Sequence, residues 1–430
     1  MTRACRSLLA LVLAVAASVT WSPSAGAESP TTTAPPVAFS PTTGVLFNNP
    51  DGTPEQQENI LDYLGRSVDS APGGSAIRIA TYSFFDQVLT DKLVAAKQRG
   101  VFVKVLVDGH TSSPQIEQLR AALGRNVKAT SFITMCHYGC MSSAPASVMH
   151  AKIYLFSTAG RAKRVTMVGS GNPNRIGHDN GWNNHYTIVG NDALYLSSLK
   201  YFADMVSDKT VPNYYRTTAS GPYKLYFFPR AGADSTTDTI YNVLKGVRCT
   251  GVTAGAGVQG RTVVRVAVFF WTTRRLAIAQ QLWRLQDQGC DVQVVYPSNG
   301  VQRSVVSTLL KKSARYGQMK LYDTLRDRDH DGFYESYVHS KYVLVDGVYN
   351  GNTAATAVWA GSANFGGTGL REGNEVTLKI SGRTVTSQYE ADFERIRSIS
   401  KPVTAVPPAA AVRNSRNADG ELEVPDDYGR

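Results

Sequence analysis

One motif, written twice, constrains this chain more than any other feature. His150-Ala151-Lys152 is followed by Gly169-Ser170-Gly171-Asn172, and His339-Ser340-Lys341 by Gly361-Ser362-Ala363-Asn364. A single His-x-Lys says little, because the two residue types often fall on one solvated strand face. The repetition is what matters. In each copy an apolar run (Ile153-Tyr154-Leu155-Phe156, Tyr342-Val343-Leu344-Val345) passes through a polar turn into a second apolar run ending in Gly-Ser-x-Asn. Two His, two Lys, two Ser and two Asn are the groups that displacement at a phosphodiester uses, so the copies are read as one composite site.

The repeat extends into flanks where no chemistry demands it. Val45-Leu46-Phe47 and a helix with Ile60, Tyr63 and Leu64 on one face are matched by Leu225-Tyr226-Phe227 and a helix with Ile240, Val243 and Leu244. The run from Ile77 to Phe85 corresponds to Val264 to Trp271, each followed by a helical stretch, a Gly (Gly100, Gly289) and another strand. Strand, helix and strand with short connections favour parallel pairing and a right-handed crossover. Each half closes with a helix, roughly over 193–206 and 384–398.

The fold class expected is α/β: two similar halves, each a mixed, mostly parallel sheet flanked by helices, related by a pseudo-twofold axis. The halves span 44–210 and 223–402, with a linker over 211–222 where Pro212, Ser220, Gly221 and Pro222 interrupt any regular pattern. A chain of 430 residues, 43% hydrophobic, suffices for two cores of ordinary domain size.

The first residues have a basic start (Arg3, Arg6), an apolar run from Leu8 to Val19, and Ala25-Gly26-Ala27 before Glu28. This reads as a secretory signal peptide over 1–27 and predicts a secreted protein. A Pro/Thr-rich segment follows over 28–43, and the tail over 403–430 has no period and is expected to be disordered. Beyond the leader the cysteines are Cys136, Cys140, Cys249 and Cys290, an even number suited to an oxidising compartment. Of three possible arrangements the expected one pairs Cys136 with Cys140 and Cys249 with Cys290; zinc fits less well, because no second close pair is present. The formal charge is +11, or +9 without Arg3 and Arg6. That surplus favours nucleic acid or an anionic membrane surface, and equally serves solubility.

With these motifs the chain resembles the phospholipase D superfamily, whose signature is a duplicated His-x-Lys-x4-Asp with a downstream Gly-Ser-x-Asn. It is similar in particular to secreted actinobacterial phospholipases D. The resemblance covers roughly 45–398. Its second copy is complete: His339, Lys341, Asp346, Gly361, Ser362, Asn364 and Asn374-Glu375. The first departs in two places, with Ser157 at the Asp position and His185, after Asn184, matched to Glu375.

The resemblance implies a monomer that hydrolyses the head-group phosphodiester of a phospholipid in two steps through a phosphohistidine, with no metal required. It implies that His150, Lys152, Ser170, Asn172, His339, Lys341, Ser362, Asn364, Glu375 and Asp346 serve that reaction. The carboxylate of Glu375 would reach across to His150, the nucleophile, leaving His339 as general acid and base with Asp179 as a substitute partner.

Two weaker signals stand apart. Asp327, Asp329 and Asp331, with Gly332 and Glu335, alternate oxygen ligands in a way that suits a structural calcium ion, although the twelfth position is Val338; the alternative is a solvated acidic turn. Tyr82, Phe84, Phe85, Phe269, Phe270 and Trp271 end matched strands; most are expected in the core, with Tyr82 and Trp271 as candidates to wall a substrate pocket. Two other functions stay open: a secreted nuclease or other phosphodiesterase of the same chemistry, and a phosphate-binding protein whose altered first copy has lost activity.

Overall fold

A computed structural model of the chain describes residues 39–253, 255–328, 330 and 334–407, with the backbone of 415–416 and 422–423. The expected leader, the segment up to residue 38, Asp329, Asp331 and most of the tail lie outside the described residues. In the tail, Ser415–Arg416 and Leu422–Glu423 pair antiparallel, where no strand was expected.

The N-terminal half runs β1 (Gly44–Phe47), α1 (Pro54–Asp69), β2 (Ala76–Thr81), α2 (Gln87–Gln98), β3 (Phe102–Val107), α3 (Pro114–Leu123), β4 (Phe132–Met135), β5 (Ile153–Ala159), β6 (Ala162–Gly169), α4 (Arg175–Asn180), β7 (Gly181–Trp182), β8 (Asn184–Ile188) and α5 (Asp192–Val206). The C-terminal half runs β9 (Arg216–Ser220), β10 (Tyr223–Phe227), α6 (Thr239–Lys245), β11 (Val247–Arg248), β12 (Val263–Ala267), α7 (Leu276–Asp287), β13 (Asp291–Tyr296), α8 (Arg303–Leu309), β14 (Lys320–Asp323), β15 (Tyr337–Val338), β16 (Tyr342–Tyr349), β17 (Asn352–Gly361), α9 (Gly367–Arg371), β18 (Val376–Ser381), α10 (Arg383–Ile399) and β19 (Lys401–Val403). The segment expected as an irregular linker thus carries β9, which returns against β10 through Gly221 at φ +58°.

Local chemistry accounts for the helix starts. Thr53 and Gln56 form a reciprocal capping box around Pro54 at the head of α1, which buries Ile60, Leu61, Leu64 and Val68. Asp86 accepts from Leu89 N and starts α2.

One sheet has the order β1-β8-β6-β5-β2-β3-β4 and the other β19-β14-β13-β12-β16-β17-β18-β10-β9, with β11 on the side of β16. Both are mixed. Within these two sheets parallel pairing is confined to β2–β3–β4 and β12–β13–β14, so the expectation of mostly parallel sheets is corrected. Helical crossovers join those three neighbouring strands in each half. The His-x-Lys strands return as hairpins, through Gly160 (φ +56°) and through Asn350-Gly351 (φ +47° and +82°), a conformation that turns β-strands tightly.

The two sheets share one core. Tyr201, Phe202 and Met205 of α5 and Tyr389, Phe393 and Ile396 of α10 are buried together with Leu155 and Val168 of one sheet and Leu344 and Val358 of the other. Two further clusters pack the outer faces under α1–α3 and under α6–α8. Cys136–Cys140 and Cys249–Cys290 are bonded in the expected pairing.

Candidate active site

Each His-x-Lys segment is held by backbone of the opposite half. Met149 bridges Asn374 in parallel register, and His150 N donates to Asn374 O at 2.9 Å. In the mirror arrangement β15 runs parallel to β7, pairing Val338 with Trp182, and His339 N donates to Trp182 O at 3.0 Å. The rims of the two sheets are therefore stitched together where the motifs lie.

The side chains repeat that crossing. His150 Nδ1 lies 3.0 Å from Glu375 Oε1, and the other oxygen of Glu375 accepts from Ser362 Oγ. His339 Nδ1 lies 2.7 Å from Asn183 Oδ1, which also accepts from Ser170 Oγ at 3.1 Å. An acceptor on Nδ1 places the ring proton there and leaves Nε2 as the reactive nitrogen. Lys152 and Lys341 stand at the starts of β5 and β16, both buried; Lys152 Nζ donates to His150 O at 2.8 Å. Their carbonyls accept from Gly169 N and Gly361 N at 3.2 and 3.3 Å, which ties each Lys to its Gly-Ser-x-Asn strand. Asn172 Oδ1 accepts from Thr81 Oγ1 and Asn364 Oδ1 from Phe270 N, both at 3.1 Å. With the amide oxygens so engaged, the amide nitrogens are the donor ends.

Burial, with the charges of Lys341 and Lys152 and the His150 imidazole acting in the same direction, holds His339 well below the usual histidine range. Both His–Lys pairs thus share one electrostatic neighbourhood, although 189 positions separate the imidazoles in sequence. An aromatic edge flanks each ring: Tyr82 lies 5.7 Å from His150 and Phe269 4.9 Å from His339, at matched positions after β2 and β12. What converges is two imidazoles, two ammonium groups and two amides, a set suited to attack at phosphorus and to charge on its oxygens.

Residues 67–205 and 259–397 each match the family model described as Cardiolipin synthase, PLD-like domain. The chain belongs to the phospholipase D superfamily. No curated protein matches the sequence. Among solved structures the fold is similar to phosphatidylserine synthase from Haemophilus influenzae (TM-score 0.55, 12% identity, 81% of this chain and 86% of that one). It is also similar to polyphosphate kinase from Porphyromonas gingivalis (TM-score 0.53, 14% identity, 83% of this chain), of whose length it spans 50%. At such identities the likeness is one of fold.

Against the superfamily pattern, the first copy is misaligned by two residues in the sequence reading. Counting thirteen residues from Ser362 reaches Glu375, and the same count from Ser170 reaches Asn183, not His185. Strand register agrees, pairing Gly169 with His185 and Gly361 with Thr377. His185 is instead buried against Tyr154, at 5.1 Å between ring centres, and burial pushes it down to about 3. Asp179 is likewise not the partner of His339; Asn183 is.

Asp346 does not join the site. It lies five residues beyond Lys341, about 17 Å of extended strand, where it pairs with Arg383 and accepts from Gly257 N at 3.0 Å. Ser157, its counterpart, accepts from Ala76 N at 2.8 Å, so both positions satisfy a backbone amide at the far end of the strand. Trp271 is core, with its Nε1 donating to Arg275 O at 3.2 Å, and Phe84 is also buried. The expected calcium loop depends on Asp329 and Asp331, outside the described residues; Glu335 accepts from Arg328 N at 2.6 Å.

Sequence reading did not find Asn183 and Phe269 as parts of the site. The thirteen-residue count was the available signal for Asn183. Phe269 could have been read from its match to Tyr82.

Proposed function

We propose that this chain is a secreted phosphodiesterase of the phospholipase D type, acting on the head-group ester of glycerophospholipids through a phosphohistidine. The observation that carries the reading is the crossed pairing of the two imidazoles, His150 with Glu375 and His339 with Asn183. It gives one ring a carboxylate and the other a neutral amide, and so unequal roles.

His150 Nε2 attacks phosphorus while the bond to the leaving alcohol breaks, and the proton on His339 Nε2 passes to the departing oxygen. The phosphorylated His150 ring is cationic, and the buried carboxylate of Glu375 offsets that charge. His339, now neutral, takes a proton from water as the water attacks phosphorus, and the P–N bond breaks. Burial keeps His339 neutral in the free site, the form in which the ring can accept that proton. For the first, the negative charge of a bound phosphodiester favours its protonated form. Lys152, Lys341 and the amides of Asn172 and Asn364 hold the non-bridging oxygens, each such donor being worth about a hundred- to a thousandfold in rate.

The family model's description names a lipid enzyme, which supports lipid over nucleic acid as substrate, and the paired cysteines support an oxidising compartment. Incubating the mature protein with phosphatidylcholine vesicles and with plasmid DNA tests the reading. Choline release, lost on His150→Ala, is the expected result. DNA cleavage without choline release replaces the lipid substrate by nucleic acid, and neither product removes the enzyme.

A further inference from the structure

We infer that His178 and Arg275 are positioning residues, one in each half, that fix the two motif asparagines by their main-chain carbonyls. His178 Nε2 donates to Asn172 O at 3.1 Å, and Arg275 Nη1 donates to Asn364 O at 2.7 Å. Both side chains are buried. Arg275 is itself held by Asp238, with Nε and Nη2 at 2.7 and 2.8 Å from the carboxylate.

The two clamps are not copies of one another. Counting from the motif serines, His178 corresponds to Leu370; counting from the matched strands β2 and β12, Arg275 corresponds to Val88. Each half has met the same need with a different residue from a different element, α4 in one and the approach to α7 in the other. Duplication alone therefore does not explain either contact.

The residue inside each motif follows its clamp. A Cβ added at Gly171 would lie 2.8 Å from His178 Nε2, closer than real side chains come, and 3.0 Å from Asn183 Oδ1. The equivalent position in the other half is Ala363, where Leu370 replaces the imidazole. The difference between Gly-Ser-Gly-Asn and Gly-Ser-Ala-Asn thus follows the space that His178, with Asn183 beside it, occupies. Burial pushes His178 down to about 4, so at neutral pH it is an uncharged donor.

The consequence for the reaction rests on the proposed function. Thr81 and the Phe270 amide fix the oxygen end of each Asn side chain, and the clamps fix the main chain beneath it. Together they leave each amide nitrogen one direction in which to hold a phosphate oxygen, and a displacement of about 1 Å costs on the order of a hundredfold.

The test compares His178→Gln, which keeps an N–H at the reach of Nε2, with the pair Gly171→Ala and His178→Leu, which installs the second half's residues and removes the donor. Hydrolysis of bis(p-nitrophenyl) phosphate, vanadate affinity and thermal midpoint are read on the full chain. The Gln form is expected within about threefold of wild type, while the double variant loses about ten- to a hundredfold in kcat and in vanadate affinity, with KM and midpoint little changed. Wild-type kcat and vanadate affinity in the double variant would overturn the inference, as would an equal fall in the Gln form. Should the double variant fail to fold, His178→Ala takes its place in the same comparison. A wild-type chain that binds vanadate and turns over no diester defeats the proposed function, and the vanadate arm still decides the clamp.

Discussion

At the residue scale, one imidazole faces a carboxylate and the other an amide. A buried carboxylate favours a cationic ring; an amide oxygen fixes the tautomer without adding charge. Glu375→Gln should therefore slow phosphoenzyme formation about a hundred- to ten-thousandfold, measured by rapid quench, while leaving the fold intact. Asn183→Asp should raise the His339 ionisation from its depressed position, read directly by imidazole NMR titration. If the ionisation stays where it was, the amide is not what distinguishes the two rings. The sequence displayed both His, both Lys, both Asn and Glu375 plainly. Asn183 was hidden by its neighbours, because Asn184-His185 resembles Asn374-Glu375 more closely by eye than the true register does.

At the element scale, β5 and β16 carry the site at one end and structural anchors at the other. Asp346→Asn should cost about 1–3 kcal/mol in denaturant unfolding and leave kcat essentially unchanged. A large loss of kcat at full stability would return Asp346 to the reaction. On α10, between the sheets, burial pushes Asp392 up to about 8. The sign follows directly: the folded state retains a proton that the unfolded state releases near pH 4, so stability falls as pH rises from about 4 to 8. Asp392→Asn should flatten that slope in thermal midpoints measured across the range. An unaltered slope would assign the dependence to another group. Hairpins were legible as polar turns between apolar runs, and the closing helices were placed within a residue or so of α5 and α10. Strand direction was not legible, because a buried strand reads as the same apolar run whether its neighbour is parallel or antiparallel.

At the scale of the whole molecule, the halves cannot be separated functionally, since each imidazole takes its partner and its backbone support from the other half. The formal charge of +11 belongs to this scale too, because it acts as a field and not through one contact. Partition onto anionic vesicles should weaken markedly as salt is raised from low ionic strength to about 0.5 M, where the Debye length falls below roughly 5 Å; sedimentation measures it. Salt-independent partition would remove electrostatic attraction as the cause.

By itself the sequence determined the duplication, the α/β class and most of the reactive groups, because these follow from local patterns and from residue chemistry repeated at matched spacings. Only the tertiary structure decided which strands run antiparallel, that Asp346 stands apart from the site, and that Asn183 receives His339. Those are distances between segments far apart in the chain, set by how the two sheets pack on a shared core, and no local period encodes them.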